Sequence, residues 1–335
     1  ESAISNLQSR ICNLESAISN LQSLVMSTPD LSVNLCGICL PNPTVLASGI
    51  LGLSHEVMVR VAHAGAGAIT TKSCSLQPRS GHHNPTVLDW GYGLINAVGL
   101  SNPGVEVMVE EIRAAREQLA PLGVPVIASI FAESIYDFGT IARFISEAEP
   151  DLIEVNISCP NIDDRYRQMF AANPYVAAQV TRRVKQNTDI PVLVKLSPNV
   201  SDVVEIARAV VEAGADGITA INSLGPGLIL DIETGRPVLA HSTGGVSGPA
   251  IRPIAVRCVY EICRAVKVPV VAMGGVTSGR DVVEMLLVGA TAVGIGSAVY
   301  YRGIEVFQEV CAELHEYMER HGYARVEEMR GRMVE

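Results

Sequence analysis

The chain has 335 residues, enough for one large domain or two ordinary ones, and 48% of them are hydrophobic, so a large core can form. Aromatic residues make up only 4%, whereas 29 residues are glycine, and this composition favours helices packed closely on a sheet over a β-sandwich. The net charge of −10 disfavours non-specific nucleic-acid binding, because that binding depends on Lys and Arg side chains that neutralise phosphates.

The first 25 residues carry a heptad pattern that sets them apart, and the segment ESAISNLQS occurs twice in them. Ile or Val alternates with Leu along a seam typical of two-stranded coiled coils: Ile4, Leu7, Ile11, Leu14, Ile18, Leu21 and Val25. Because the seam is short, it would be a marginal helix on its own. Two interpretations stay open, a dimerisation handle and an appendage translated ahead of a natural start at Met26. We expect residues 1–25 to be an extension and residues 26–335 to form the catalytic domain.

The eight cysteines are scattered along the chain, and this spacing predicts reduced thiols in a cytoplasmic protein and not a disulfide framework. Cys36 and Cys39 form a C-x-x-C pair, but no second such pair or nearby His pair completes a metal site. We therefore interpret them as two strand residues near a turn. The sequence has no apolar run of about 18 residues and no signal-peptide pattern, so we expect no membrane span.

From residue 44 onward, apolar runs rich in β-branched residues alternate with amphipathic stretches of helical periodicity, such as the stripe at 203–211. Runs that are apolar at nearly every position are typical of parallel strands buried on both faces. There are eight of them, at 44–48, 68–72, 125–130, 152–157, 192–196, 217–222, 269–273 and 292–295. The alternation predicts an α/β fold, either a closed (β/α)8 TIM barrel or an open doubly wound sheet.

Polar residues or glycines end most of these runs: Ser48, Lys72, Ser129, Asn156, Lys195, Asn222, Gly274–Gly275 and Gly296–Ser297. A barrel gathers the carboxyl ends of all its strands at one mouth, whereas an open sheet binds ligands at one switch point, so this distribution favours the barrel. A buried ammonium group is costly unless an anion or a dipole meets it, and two lysines stand among these residues. The predicted mouth is therefore the candidate ligand site.

Three glycine-containing turns in the last third of the chain, at 243–250, 274–279 and 294–298, each lead into a helical stretch. Such turns expose backbone N–H groups, and helix N-termini favour anions. Two of the turns follow the seventh and eighth predicted strands, where β/α barrels commonly bind phosphate. We therefore expect a ligand that carries a phosphate group.

Six sequence blocks occur in a specific order: TKS (71–73), INAVGLSNPG (95–104), VNISCPN (155–161), VLVKLSPN (192–199), AIN (220–222) and TGGVSGPAIRPIAVR (243–257). Together they resemble the dihydroorotate dehydrogenases of class 1, and most of all the class 1B catalytic subunits, over about residues 32–315. The resemblance implies an FMN-dependent oxidoreductase that oxidises dihydroorotate to orotate in de novo pyrimidine (UMP) biosynthesis.

The same resemblance implies that Cys159 is the general base that removes the C5 proton of dihydroorotate, while FMN accepts hydride from C6. It implies substrate contacts by Lys72, Asn96, Val98, Gly99, Leu100, Asn156, Asn161, Asn222 and Ser223. It implies FMN contacts by Ala47, Ser48, Gly49, Lys72, Ser73, Ser129, Asn156, Lys195, Ile221, Gly248, Gly274, Gly275, Gly296 and Ser297. Asn side chains suit the flat polar substrate ring, because each offers a donor and an acceptor.

The sequence departs from the family pattern at Ser129, where the family has Asn, at Ser223, where this branch has Thr, and at 162–170, where the family is glycine-rich. One alternative is a flavoenzyme that resembles dihydropyrimidine dehydrogenase and acts on another cyclic substrate. Asn161, in place of the His of that family, favours orotate. A second alternative, a non-catalytic scaffold held together by the N-terminal seam, is disfavoured because the site motifs are intact.

The class 1B resemblance also implies a partner subunit that carries FAD and an iron–sulfur cluster and passes electrons to NAD, in a heterotetramer if not a homodimer. The chain itself has no cysteine quartet for a cluster and no second dinucleotide-binding fingerprint. The electron acceptor stays open at this point, with NAD through the partner, fumarate and another acceptor as the candidates.

Overall fold

The computed structural model describes residues 28–157 and 170–334, so the heptad segment and the loop that contains Cys159 and Asn161 lie outside the described residues. The helices are α1 His55–His63, α2 Val105–Leu119, α3 Ile135–Ser146, α4 Pro174–Lys185, α5 Val203–Glu212, α6 Arg252–Ala265, α7 Gly279–Leu287, α8 Ala298–Arg302 and α9 Val306–His321. The first strands are β1 Val33–Leu35, β2 Ile38–Leu40, β3 Thr44–Leu46, β4 Ala68–Thr70, β5 Val87–Asp89, β6 Leu94–Asn96, β7 Val126–Ile130 and β8 Leu152–Asn156. The later strands are β9 Val192–Leu196, β10 Gly217–Ala220, β11 Leu224–Leu228, β12 Leu230–Asp231, β13 Arg236–Pro237, β14 Thr243–Ser247, β15 Val270–Met273 and β16 Ala292–Ile295.

Eight strands close into a parallel barrel in the order β3, β4, β7, β8, β9, β10, β15 and β16, which confirms the predicted (β/α)8 fold. Each strand lies within one of the eight predicted apolar runs. Every residue of β7, β8 and β9 is buried, because helices cover the outer face and packed side chains fill the interior. The carboxyl ends of the strands therefore meet at one mouth.

Polar side chains fix where the barrel helices begin. Asp202 accepts the backbone N–H groups of Val204 and Glu205 at the start of α5, and Ser278 and Asp281 form a capping box at the start of α7. The predicted apolar stripe of α5 faces the barrel, with Val203, Ile206, Ala207 and Val210 buried. These caps and stripes hold the helices against the barrel wall.

A second, antiparallel sheet of β11, β14, β6 and β5 was not predicted from the sequence. Its strands come from two insertions, one between β4 and α2 and the other between β10 and α6. Both insertions leave the barrel at the carboxyl ends of strands, so the sheet stands beside the mouth. The stretch predicted as a glycine turn at 243–250 is in large part strand β14, and Gly245 pairs with Asn96 of β6.

The C-x-x-C pair lies beside a turn, as the sequence predicted, but only one of its two cysteines is in a strand. Cys39 lies on β2, but Cys36 lies in the tight turn before it, with a left-handed φ of 54°, and is followed by Gly37 at 90°. The Cys36 thiol donates to the carbonyl oxygen of Asp216 at 3.3 Å, and burial raises the pKa of the thiol to about 12. A thiol with a raised pKa carries little thiolate near neutral pH and is therefore a weak nucleophile.

Across residues 28–157 and 170–334, every helix is too short or too polar to cross a membrane.

Candidate active site

A cavity of about 270 Å³ opens at the barrel mouth between the strand ends and the antiparallel sheet. The residues around it belong mainly to the segments that follow β3, β4, β10, β15 and β16 and to the carboxyl ends of β8 and β9. The antiparallel strands β5, β6 and β14 supply others. The structure brings together these predicted site residues in its lining: Ala47, Ser48, Gly49, Lys72, Ser73, Asn96, Val98, Leu100, Asn156, Lys195, Ile221, Asn222, Ser223, Gly248, Gly274, Gly275, Gly296 and Ser297.

Four predicted site residues are not among the lining residues. Cys159 and Asn161 lie outside the described residues. Gly99 turns away from the cavity towards His82, since an added Cβ would lie 2.8 Å from that ring. Ser129 is fully buried on β7, behind Ser73, to which its hydroxyl is hydrogen-bonded at 2.8 Å. The structure therefore places Ser129 behind the cavity wall and not on it.

The lining also contains residues that were not among the predicted site residues, of which Ser247, Val276 and Gly294 belong to the predicted glycine turns: Ile50, Val87, Leu94, Ser247, Ile251, Met273, Val276 and Gly294. Val87 and Leu94 belong to the antiparallel sheet, which no sequence pattern had indicated. Met273 ends the predicted strand at 269–273, directly before the turn at 274–279, and Gly294 lies where the predicted strand at 292–295 and the turn at 294–298 overlap. Proximity to a predicted strand end was the signal that could have found these two.

Tight glycine packing marks the end of the cavity formed after β14, β15 and β16. An added Cβ on Gly275 would lie 2.6 Å from the carbonyl oxygen of Gly248, and one on Gly274 would lie 2.6 Å from the Cβ of Ala255. Gly248, Gly274 and Gly275 all have left-handed φ values, which glycine alone adopts without strain. The backbone can thus approach a ligand closely, as a phosphate seat built from N–H groups requires.

The charge of the lining fits an anionic ligand. Among the residues that the structure describes, the lining includes two lysines and no carboxylate, although the chain as a whole is acidic. The Lys72 ammonium is near the backbone of Gly49, since an added Cβ there would lie 3.9 Å from Nζ. Lys195 is only 4% exposed. Two cations beside a glycine-rich seat are what a phosphorylated cofactor and a carboxylate substrate require.

Three Asn side chains line the cavity, and two of them contact each other. Asn222 Nδ2 donates to Asn156 Oδ1 at 3.4 Å, and Asn156 Nδ2 donates to the Ser73 hydroxyl at 3.4 Å. Asn96 Nδ2 donates to the carbonyl oxygen of Gly245 at 3.3 Å, which ties the amide of β6 to the neighbouring strand. The side-chain oxygen Oδ1 of Asn222 also accepts a hydrogen bond from the backbone N–H of Ser223 at 2.8 Å. These amides offer donors and acceptors to a flat polar ring.

A buried ion pair lies under the cavity. Lys195 Nζ is 3.6 Å from Glu154 Oε1, and the two side chains are 5% and 2% exposed. The Ser129 hydroxyl donates to the same carboxylate oxygen at 3.1 Å. Sequence reasoning missed Glu154, although a single acidic residue inside the apolar run at 152–157 was a visible signal, because buried carboxylates are paired.

None of the cysteines in the described part of the chain lines the cavity. Burial raises the pKa of Cys74 and of Cys263 to about 12 and that of Cys311 to about 11. Thiols with such values carry very little thiolate near neutral pH and are poor bases. Among the described residues, therefore, no cysteine competes with Cys159 for the role of base.

Comparisons with known proteins identify the family of the chain. The family model described as dihydroorotate dehydrogenase matches residues 30–318. The chain is 44% identical to a protein of Methanothermobacter thermautotrophicus named dihydroorotate dehydrogenase B (NAD(+)), catalytic subunit, over 90% of the chain and 97% of that protein. Proteins of the same name are similar in Methanocaldococcus jannaschii, at 43% identity over 86% of the chain and 93% of that protein, and in Bacillus pumilus, at 42% over 90% and 96%. The chain therefore belongs to the dihydroorotate dehydrogenase family, in its class 1B branch, and is an FMN-dependent oxidoreductase that oxidises dihydroorotate to orotate in pyrimidine biosynthesis.

Proposed function

We propose that the cavity at the barrel mouth is where dihydroorotate is oxidised, with Cys159 as the base and the asparagine side chains as the substrate clamp. The observation that carries this proposal is the combination of three Asn side chains, two lysines and a glycine seat around one cavity. The family model and the relatives are named for dihydroorotate, so the alternative of a dihydropyrimidine dehydrogenase-like enzyme is not favoured.

The residues present fit FMN at this site. Gly248, Gly274 and Gly275 would hold its phosphate, because Gly275 lies too close to the Gly248 backbone for a side chain and all three have left-handed φ values. Lys195 would lie at the electron-poor edge of the flavin, where a positive charge favours the added negative charge of reduction. When bound, FMN supplies the acceptor for the hydride of the substrate.

The remaining polar groups would hold the substrate. Asn96, Asn156, Asn222 and Ser223 present amide and hydroxyl groups to the ring, and Lys72 supplies a positive charge for the carboxylate. Asn161 and Cys159 enter this proposal through the VNISCPN motif. Cys159 would take the C5 proton as thiolate, and a cysteine with an ordinary pKa near about 8.5 can do so in mildly alkaline solution.

Orotate binding tests the amide clamp. Asn222→Ala should weaken orotate binding about tenfold or more, because the loss of hydrogen bonds to a buried polar ligand costs about 1–3 kcal/mol. Asn187→Ala is the matched control, since Asn187 lies outside the cavity lining and its amide bonds the carbonyl oxygen of Arg183. The measurement is titration of the FMN absorbance with orotate, and equal affinities in the two variants would contradict the clamp.

We also propose that electrons leave this chain through a partner subunit that carries FAD and an iron–sulfur cluster and reduces NAD. The similar proteins are named NAD(+)-linked catalytic subunits, a name that implies another subunit. Among the described residues, the one group that could hold a metal ion is His55, Glu56 and Glu111, which contains no cysteine. We place the assembly in the cytoplasm, as a heterotetramer built on a homodimer of this chain. The chain alone should oxidise dihydroorotate with a dye but not with NAD or fumarate, and rapid reduction of NAD by the chain alone would refute the need for a partner.

A further inference from the structure

Glu154 occupies an unusual position for a carboxylate. It lies in the middle of barrel strand β8, pairs in register with Ser129 of β7, and is 1% exposed. It stands two residues before Asn156, which lines the cavity, so the two side chains point to the same face of the strand. Glu154 itself does not line the cavity. The carboxylate is therefore inside the barrel, directly under the proposed cofactor site.

A chain of hydroxyl groups leads from the cavity wall to this carboxylate. The Ser48 and Ser73 hydroxyls are 3.1 Å apart, the Ser73 and Ser129 hydroxyls are 2.8 Å apart, and Ser129 donates to Glu154 at 3.1 Å. Each hydroxyl has one proton to donate, so donation by Ser129 to Glu154 requires Ser73 to donate to Ser129. The direction of the chain is thus fixed, and it ends on Glu154 as an acceptor.

Lys195 reaches the same carboxylate oxygen from the next strand, at 3.6 Å. The ammonium lines the cavity and the carboxylate lies behind it, so Glu154 fixes where the ammonium sits and offsets part of its charge. In a buried site the interaction between two such charges is much stronger than in water.

On the basis of the proposed function, we propose that Glu154 is a positioning residue for Lys195 and that the Glu154–Lys195 pair sets how readily the bound FMN is reduced. Glu154→Gln keeps the size and an acceptor for Ser129 but removes the negative charge. The Lys195 charge is then offset less, so the equilibrium for reduction of FMN rises at least about tenfold, which is a positive shift of about 30 mV for a two-electron couple.

Making Glu154→Gln in a protein that already carries Lys195→Met distinguishes this role from a purely structural one. In Lys195→Met there is no ammonium for Glu154 to position or to offset. If Glu154 acts through Lys195, Glu154→Gln in this background should change the reduction equilibrium less than about threefold. Glu111→Gln is the control, since Glu111 is likewise paired, with His55, but is only partly buried and lies outside the cavity lining.

The experiment is spectroscopic titration of the FMN potential against a reference dye, with FMN affinity measured separately by fluorescence. At least a tenfold shift in Glu154→Gln, a loss of that shift in Lys195→Met and no shift in Glu111→Gln support the proposal. A shift below tenfold, or an equal shift in both backgrounds, overturns it. If Glu154→Gln does not hold FMN, Glu154→Asp decides, because its carboxylate is withdrawn from Lys195 by one methylene and the potential must rise measurably. Wild-type protein that does not bind FMN would instead refute the proposed function.

Discussion

Gly275→Ala tests the phosphate seat directly. Gly275 has a φ of 75°, and its added Cβ would lie 2.6 Å from the carbonyl oxygen of Gly248 and 2.9 Å from the Cβ of Arg252. The left-handed conformation costs a non-glycine residue about 1–2 kcal/mol. The added Cβ would also push the backbones of Gly275 and Gly248 apart. Because the N–H groups of this segment would face the phosphate, that movement would displace the phosphate site itself.

The magnitude follows from the contacts that such a displacement weakens. A hydrogen bond between a backbone N–H and a charged group is worth about 1.5–3 kcal/mol, and every 1.4 kcal/mol corresponds to a tenfold change in affinity. Loss of one such bond should therefore weaken FMN binding about 10- to 100-fold. The assay is fluorescence titration of apoprotein with FMN.

Gly123→Ala is the matched control for this experiment. Gly123 has a similar φ of 66°, has no neighbour within 4 Å of an added Cβ, and lies before β7, at the end of the barrel opposite the mouth. Gly123→Ala therefore has a similar conformational cost but does not disturb the phosphate site. If Gly275→Ala binds FMN within threefold of Gly123→Ala, the glycine packing does not form the phosphate site.

Two further predictions concern stability and the N-terminal segment. Burial raises the pKa of Cys74 to about 12 from an ordinary 9.0, so the folded state retains this proton while the unfolded state loses it. Cys74 therefore contributes its full share to the free energy of unfolding below pH 9, and this contribution falls as the pH rises from 9 to about 12. Urea unfolding curves should show a smaller decline over this pH range in Cys74→Ala than in the wild type. Deletion of residues 1–25, which carry no predicted site residue, should leave dye-linked turnover within twofold of the full chain, and a truncated protein that binds FMN but is not reduced by dihydroorotate would contradict this assignment.

Most of the barrel could be predicted from the sequence, because parallel strands buried on both faces are apolar at nearly every position. The run at 192–196 is apolar except for Lys195, and the strand observed there is the same five residues, Val192–Leu196. The antiparallel sheet left no such signature. Its β5 and β6 have three residues each, and β11 reads LGPGL, in which Gly and Pro argue against a strand.

The site was predictable wherever a polar residue ends an apolar run, as at Asn156 and Lys195. It was less predictable where geometry decides which side chain reaches the cavity. Ser129 ends its run in the same way, yet the short serine side chain stays behind Ser73 and bonds Glu154. The carboxylate of Glu154 within LIEVNI signals a buried pair, but the sequence does not identify its partner, which is Lys195 on the neighbouring strand β9.

Anaerobic stopped-flow reduction of the bound FMN by dihydroorotate tests the central claim, that this site oxidises dihydroorotate with Cys159 as the base. Cys159→Ala should still bind orotate, because Asn96, Asn156 and Asn222 remain, but should reduce its flavin roughly 10²- to 10⁴-fold more slowly than the wild type. The wild-type rate should rise with pH as the thiolate forms, and this dependence should vanish in the variant. Reduction of the Cys159→Ala flavin within a few-fold of the wild-type rate would contradict the account.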